Sequence, residues 1–195
     1  MKIYFLRHEH RNKGDVLFRN ELNAEGNSLA NGLLKNYLNF LKIDDVYCSP
    51  FIRAMQTVTP YMSEYKKFDK IRLDYSIAEF IHHPRFADKG NCNFSLKEED
   101  YLTFPIDKHY KSVTKPELLH SNETEEELYS RVMLFVEMIK KKYTNTDKTI
   151  LICSHMSVIN MLINCFYGTK RFLESNINMG VVTTYENNQL IYLNQ

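Results

Sequence analysis

The sequence predicts an α/β fold in a single domain, with a mostly parallel central sheet flanked by helices. Short, continuously apolar runs recur at 2–6 (KIYFL), 45–48 (DVYC) and 148–153 (KTILIC), and runs of this length suit strands buried on both faces. Segments of helical periodicity separate them, the alternation expected of an α/β sheet. A chain of 195 residues is enough for one domain carrying an elaborated insertion.

Taken in order, KIYFL begins the sheet. Leu29, Leu33, Tyr37 and Leu41 then recur at helical spacing, with Leu34 and Leu38 beside them, which predicts a helix over 22–41 with that stripe as its buried face. After DVYC a second helix is expected from about Phe51 to Tyr65, and a further strand in KIRLDY at 70–75. Residues 80–122 hold three of the five prolines and no sustained period, the mark of an irregular lid or insertion. Thr124 and Glu127 fit a capping box, and Leu128, Val132, Phe135, Ile139 and Tyr143 trace one apolar stripe behind it. Lys140 to Lys142 close that helix where cations offset its dipole, a solvated helix end rather than a nucleic-acid patch.

With 25 Lys and Arg against 24 Asp and Glu, the formal net charge is +1. No global field recruits nucleic acid or an anionic membrane, so any anion site is local. Cys48, Cys92, Cys153 and Cys165 form no CxxC pair, and the apolar flanks of Cys48, Cys153 and Cys165 predict small buried hydrophobes rather than metal ligands. No apolar run approaches membrane-spanning length, and a first strand at Lys2 leaves no room for a signal peptide, so a cytoplasmic location is expected.

Each apolar run is followed at once by chemically capable residues: Arg7, His8, His10 and Arg11 after the first, Ser49, Pro50 and Arg53 after the second, Ser154 and His155 after the third. Ligands of open α/β sheets bind at the carboxyl ends of strands, so the three groups should converge on one crevice. Arginines, histidines and helix N-termini together suit a tetrahedral dianion, most simply a phosphoryl group. Glu79, in IAEF, supplies a carboxylate. An imidazole nucleophile, a cationic cradle and a proton donor are the parts of phosphoryl transfer through a phosphohistidine, and no cofactor or metal is required. The sequence has no Walker-type loop, HExxH or aspartate-rich cluster. His10, His82 and His83 read as surface histidines rather than metal ligands.

FLRHEHR at 5–11, SPFIRAMQT at 49–57, Glu79 in IAEF and ICSHMSVINML at 152–162 resemble the histidine phosphatase superfamily, the phosphoglycerate-mutase-like fold, in its branch of small broad-specificity phosphatases. LNAEG at 22–26 and ETEEELYSR at 123–131 are similar to two further helix starts of that family. The resemblance implies that His8 is the phosphorylated nucleophile, that Arg7, Arg53 and His155 hold the phosphate oxygens, and that Glu79 is the proton donor. Arg11 and Ser49 are expected at the phosphate or pocket edge, and His83 with Arg85 at the pocket mouth. Met156, where other branches have aspartate, glycine or alanine, completes the expected binding set. Glu9 stands where the family has glycine; turned inward, it would repel a dianion.

The function so implied is metal-independent hydrolysis of a phosphomonoester, either a small molecule or a phosphoprotein. Three alternatives remain open: a catalytically weakened phospholigand- or protein-binding module, a mutase-type phosphotransferase, and a hydrolase with a metal on its histidines. Substrate identity and a homodimer are left open by the sequence.

Overall fold

The computed structural model describes residues 1–66, 69–82, 86, 93–169, 176–186 and 189–192. The elements are β1 (Lys2–Arg7), α1 (Ala24–Leu29), a π-helical turn (Ala30–Leu34), α2 (Lys35–Phe40), β2 (Asp45–Cys48), α3 (Ile52–Tyr65), β3 (Arg72–Leu73), α4 (Glu98–Thr103), α5 (Glu125–Tyr143), β4 (Thr149–Ser154), α6 (Met156–Tyr167), β5 (Val182–Glu186) and β6 (Gln189–Tyr192). One six-stranded sheet has the order β3-β2-β4-β1-β5-β6. The first four strands in that order run parallel, and β5 and β6 add an antiparallel edge.

Strand alternation divides the core between the two faces. Ile3 and Phe5 pack with Leu128, Val132 and Phe135 of α5 and Val158 and Leu162 of α6. Tyr4 and Leu6 face the other way, onto Leu34 and Leu38 and onto Met55, Val58 and Met62 of α3. Cys48 and Cys153 are buried here, and Cys165 lies in the first cluster. Cys92 falls outside the described residues.

The expected stripe of the first helix is corrected. Ala30, Leu34 and Leu38 are its buried face, while Leu33 is 75% exposed. The π-helical turn at Ala30–Leu34 inserts about one residue into the helical repeat, which rotates every later side chain relative to a straight α-helix. Of the expected stripe only Leu33 is exposed: Leu34 and Leu38 are buried, and Tyr37 and Leu41 pack half-buried against the same core.

The expected helix after Thr124 is present with its capping box: Thr124 Oγ1 accepts the Glu127 N–H, and the Glu127 carboxylate accepts the Thr124 N–H. In 80–122 the described residues include α4, a 3₁₀ turn at Pro116–Leu118 and a bridge from Ile106 to Ile71 at the sheet edge. A buried carboxylate, Asp74, ties this segment down, accepting from the Tyr110 and Ser112 hydroxyls and the Val113 N–H.

Candidate active site

Register brings the polar residues together. Leu6 pairs with Cys153, Cys153 with Cys48, and Cys48 with Leu73, so four parallel strands end on one row. The residues just beyond it are Arg7 and His8, Ser154 and His155, Ser49, and Asp74. A 3₁₀ turn at Tyr75–Ile77 then carries the chain from Asp74 towards Glu79. Helices α3 and α6 start at this row, and no side chain caps either N-terminus. In α3 the Ile52 N–H already donates to the Phe18 carbonyl, so it is the dipoles of the two helices that favour an anion there.

Arg53, fully buried, is the hub. Its Nε donates to His8 Nε2 at 3.3 Å, its Nη1 to the Leu17 carbonyl at 3.0 Å and its Nη2 to Glu79 Oε2 at 3.2 Å, with His155 Nδ1 at 3.3 Å. A guanidinium cannot accept, so His8 Nε2 carries the lone pair and Nδ1 the proton. That proton is donated to the Glu9 carbonyl at 2.7 Å. The tautomer that can attack phosphorus through Nε2 is thus fixed by hydrogen bonds on both sides of the ring.

Burial first, then His155 and Arg53, push the His8 pKa well below its ordinary 6.5, so the ring is neutral. His155 is lowered to about 4, chiefly by burial, with Glu79 opposing. Burial alone would raise Glu79, but His155 and Arg53 outweigh it and hold its carboxyl well below the usual carboxylate range. Burial brings Arg53 down to about 10, still charged at neutral pH. His155 Nε2 lies 2.9 Å from Ser49 Oγ, which orients the ring.

Arg7 and Arg11 flank the crevice. Arg7 Nη1 donates to the Ile177 carbonyl and lies 3.7 Å from Met156 Sδ, and Arg11 Nη1 donates to the Asn12 carbonyl. The Nε of each is buried without a hydrogen-bond partner, an expensive state that a bound oxyanion would relieve. His83 and Arg85 lie outside the described residues, while His82 is exposed, its ring stacked on Phe80.

Glu9 is buried, yet its carboxylate turns towards His10 Nδ1, 3.1 Å away, and onto Gly180. A Cβ on Gly180, where φ is +73°, would lie 2.4 Å from Glu9 Oε1. The glycine opposite gives the carboxylate room. Gly26 has a similar role: a Cβ there would lie 2.2 Å from the His10 carbonyl, which also accepts the Asn23 N–H. The LNAEG helix start thereby braces the 7–11 loop at His10.

Donor atoms of His8, Glu79 and His155 lie within 4.8 Å of one another, a spacing that can hold a metal. The Arg53 guanidinium already bonds to His8 and Glu79 and lies against His155, so a dication there would meet a fixed positive charge. The donor set suits an anion instead.

Several supporting residues escaped the sequence reading. Thr57 Oγ1 donates to the Arg53 carbonyl and accepts the Glu9 N–H, tying α3 to the loop. Arg131 grips Glu123 with two nitrogens and also donates to the carbonyls of Ser76, Ala78 and Glu79. The signal for this clamp was a Glu and an Arg eight residues apart at the start of α5.

A family model described as the histidine phosphatase superfamily (branch 1) matches residues 3–186. The chain belongs to this superfamily. Solved histidine-phosphatase folds superpose over nearly its full length. An ecdysone phosphate phosphatase from Bombix mori, in complex with tungstate, gives a TM-score of 0.72 at 12% identity, covering 100% of this chain and 92% of that one. A putative alpha-ribazole-5'-P phosphatase from Escherichia coli K-12 gives 0.68 at 18% identity, covering 99% and 95%. A phosphoserine phosphatase from Entamoeba histolytica gives 0.64 at 16%, also covering 99% and 95%. At these identities the likeness establishes the fold. No curated protein is a significant sequence match.

Proposed function

We propose that this histidine phosphatase hydrolyses phosphomonoesters without a metal, through a phosphohistidine on His8, with Glu79 as proton donor. The observation that carries the reading is the single buried guanidinium of Arg53 in contact with His8, Glu79 and His155. That convergence supports a reading in which His8 is the nucleophile, Glu79 the proton carrier and Arg53 with His155 the anion cradle.

The phosphoryl group enters against Arg7, Arg53, His155 and the N-termini of α3 and α6. His8 Nε2 forms a bond to phosphorus as the bond to the ester oxygen breaks, and the leaving oxygen takes a proton from Glu79. Water then attacks the phosphohistidine, giving its proton to the Glu79 carboxylate, and the N–P bond breaks to release inorganic phosphate. Glu79 must be protonated for the first step although its free carboxyl is an anion. A bound dianion draws the Arg53 and His155 contacts to itself and adds negative charge beside Glu79, and both effects raise its pKa. The guanidinium and imidazole cradle stabilises the transferring group in the transition state.

The other domain-wide readings are less well supported. Glu9, the substitution that favoured a binding-only module, has its carboxylate engaged by His10 and seated against Gly180. The chain's phosphatase-fold neighbours are an ecdysone phosphate phosphatase, a putative alpha-ribazole-5'-P phosphatase and a phosphoserine phosphatase, and a phosphorylated small molecule is our proposal for the substrate class here. The test is turnover of an aryl phosphate with and without chelator, together with base-stable labelling of the protein during turnover. Chelator-resistant turnover and labelling, both absent in His8→Ala, are expected. Turnover that survives His8→Ala, or that chelator abolishes and zinc restores, refutes the reading.

A further inference from the structure

A second cavity, of about 530 Å³, opens between α4, β3 and the 106–116 segment, and none of His8, Arg53, Glu79 or His155 lines it. Its floor is apolar, with Leu73, Leu96 and Ile106, and tyrosines stand around it. Lys108, Lys111 and Lys115 line the same space. All three are exposed, and none makes an ion pair among the described residues. Lys108 Nζ lies over the Tyr101 ring, 5.6 Å from its centroid.

Two carboxylates also reach the lining, Glu98 and Asp107. Asp107 is occupied by the backbone N–H groups of His109 and Tyr110, and Glu98 lies in the first turn of α4, where the helix dipole offsets its charge. Three lysines against two carboxylates leave the lining with a net positive charge. The wall that carries them is firmly held: buried Asp74 accepts from the Tyr110 hydroxyl at 2.5 Å, the Ser112 hydroxyl at 3.1 Å and the Val113 N–H at 3.0 Å. Its volume is within the range of small-molecule sites, which are mostly apolar with a few polar groups that orient the ligand.

We propose that this cavity is a second binding site, for an amphipathic anion. An aryl or acyl body fills the space over Leu73, Leu96 and Ile106, and a carboxylate, sulfonate or phosphate meets the lysines. Ammonium groups on flexible stems are point charges rather than a bidentate fork, so they select the anion's charge more than its shape. Occupancy is independent of the catalytic crevice.

The probe is 8-anilinonaphthalene-1-sulfonate, titrated by fluorescence into the full chain with orthovanadate saturating the catalytic crevice. Saturable binding of one molecule per chain is expected, weakened at least tenfold in Lys108→Glu/Lys111→Glu/Lys115→Glu. N-phenyl-1-naphthylamine, the same body without the sulfonate, should bind at least tenfold more weakly than the anion. All three lysines are exposed, so the triple variant is expected to fold, with wild-type circular dichroism and aryl phosphate turnover within twofold. As a second variant, Leu96→Trp fills the floor and should abolish saturable binding while leaving the lysines in place. The proposal is overturned if the triple variant binds like wild type, if orthovanadate displaces the probe, or if the neutral analogue binds equally well.

Discussion

Replacing Arg131 by methionine removes the clamp behind Glu79 while keeping much of the aliphatic volume. Five hydrogen bonds go with it: two to Glu123, and one each to the carbonyls of Ser76, Ala78 and Glu79. Glu123 is 6% exposed and keeps the Ile81 N–H as a partner, so a carboxylate is stranded in the interior. Breaking a buried ion pair from one side costs about 3–5 kcal/mol, a large part of the roughly 5–15 kcal/mol that holds a domain folded. Because the same guanidinium fixes the Glu79 backbone, kcat should fall more than KM rises. Urea denaturation and steady-state kinetics on an aryl phosphate measure both effects. In Glu123→Gln/Arg131→Met no charge is stranded, and most of the lost stability should return while kcat stays low. A loss below about 1 kcal/mol with kcat unchanged would refute the view that this clamp positions the proton donor.

Stability should fall on acidification from pH 7 to 5. His8 and His155 are neutral in the folded protein, His155 down to about pH 4, but take up a proton near pH 6.5 when unfolded. Their contribution is complete above pH 6.5 and is lost as pH falls towards the folded values, at up to about 1.4 kcal/mol per pH unit for each ring. A urea midpoint that is flat over that range would contradict it. Glu9→Gly should change kcat less than about threefold, since the carboxylate touches no catalytic side chain; a tenfold gain would show that Glu9 does repel substrate. Gly180→Ala should destabilise by about 1–2 kcal/mol from its left-handed φ alone, and by more from its collision with Glu9. Glu9→Gly in that background should restore only the collision part, read from a double-mutant cycle of unfolding free energies. Ser49→Ala removes the His155 Nε2 contact, which should cost about 1 kcal/mol of stability and lower kcat; unchanged kcat would deny Ser49 its orienting role.

The residues of the candidate site were legible because strand ends are local. An apolar run of strand length announces where it stops, and Arg7, His8, Ser49 and His155 follow those stops directly. Glu79 was legible through its spacing after KIRLDY, and the capping box of α5 through Thr124 and Glu127. Within 22–41 Leu33 was misassigned because a single π-helical turn changes the phase of the helix, whereas Leu34 and Leu38 of the same stripe are buried as expected.

What the sequence determined by itself was the fold class, the order of the main elements as far as β4 and the chemical kinds of residue at the strand ends, since each depends on neighbours along the chain. Tertiary structure alone decided which partners those residues find. The direction of the Glu9 carboxylate depends on Gly180, 171 positions away. The tautomer of His8 depends on Arg53, and the placement of Glu79 on Arg131. Charge, hydrogen bonding and close packing act through space over a few ångströms, so contacts between distant segments leave no periodic trace in the chain.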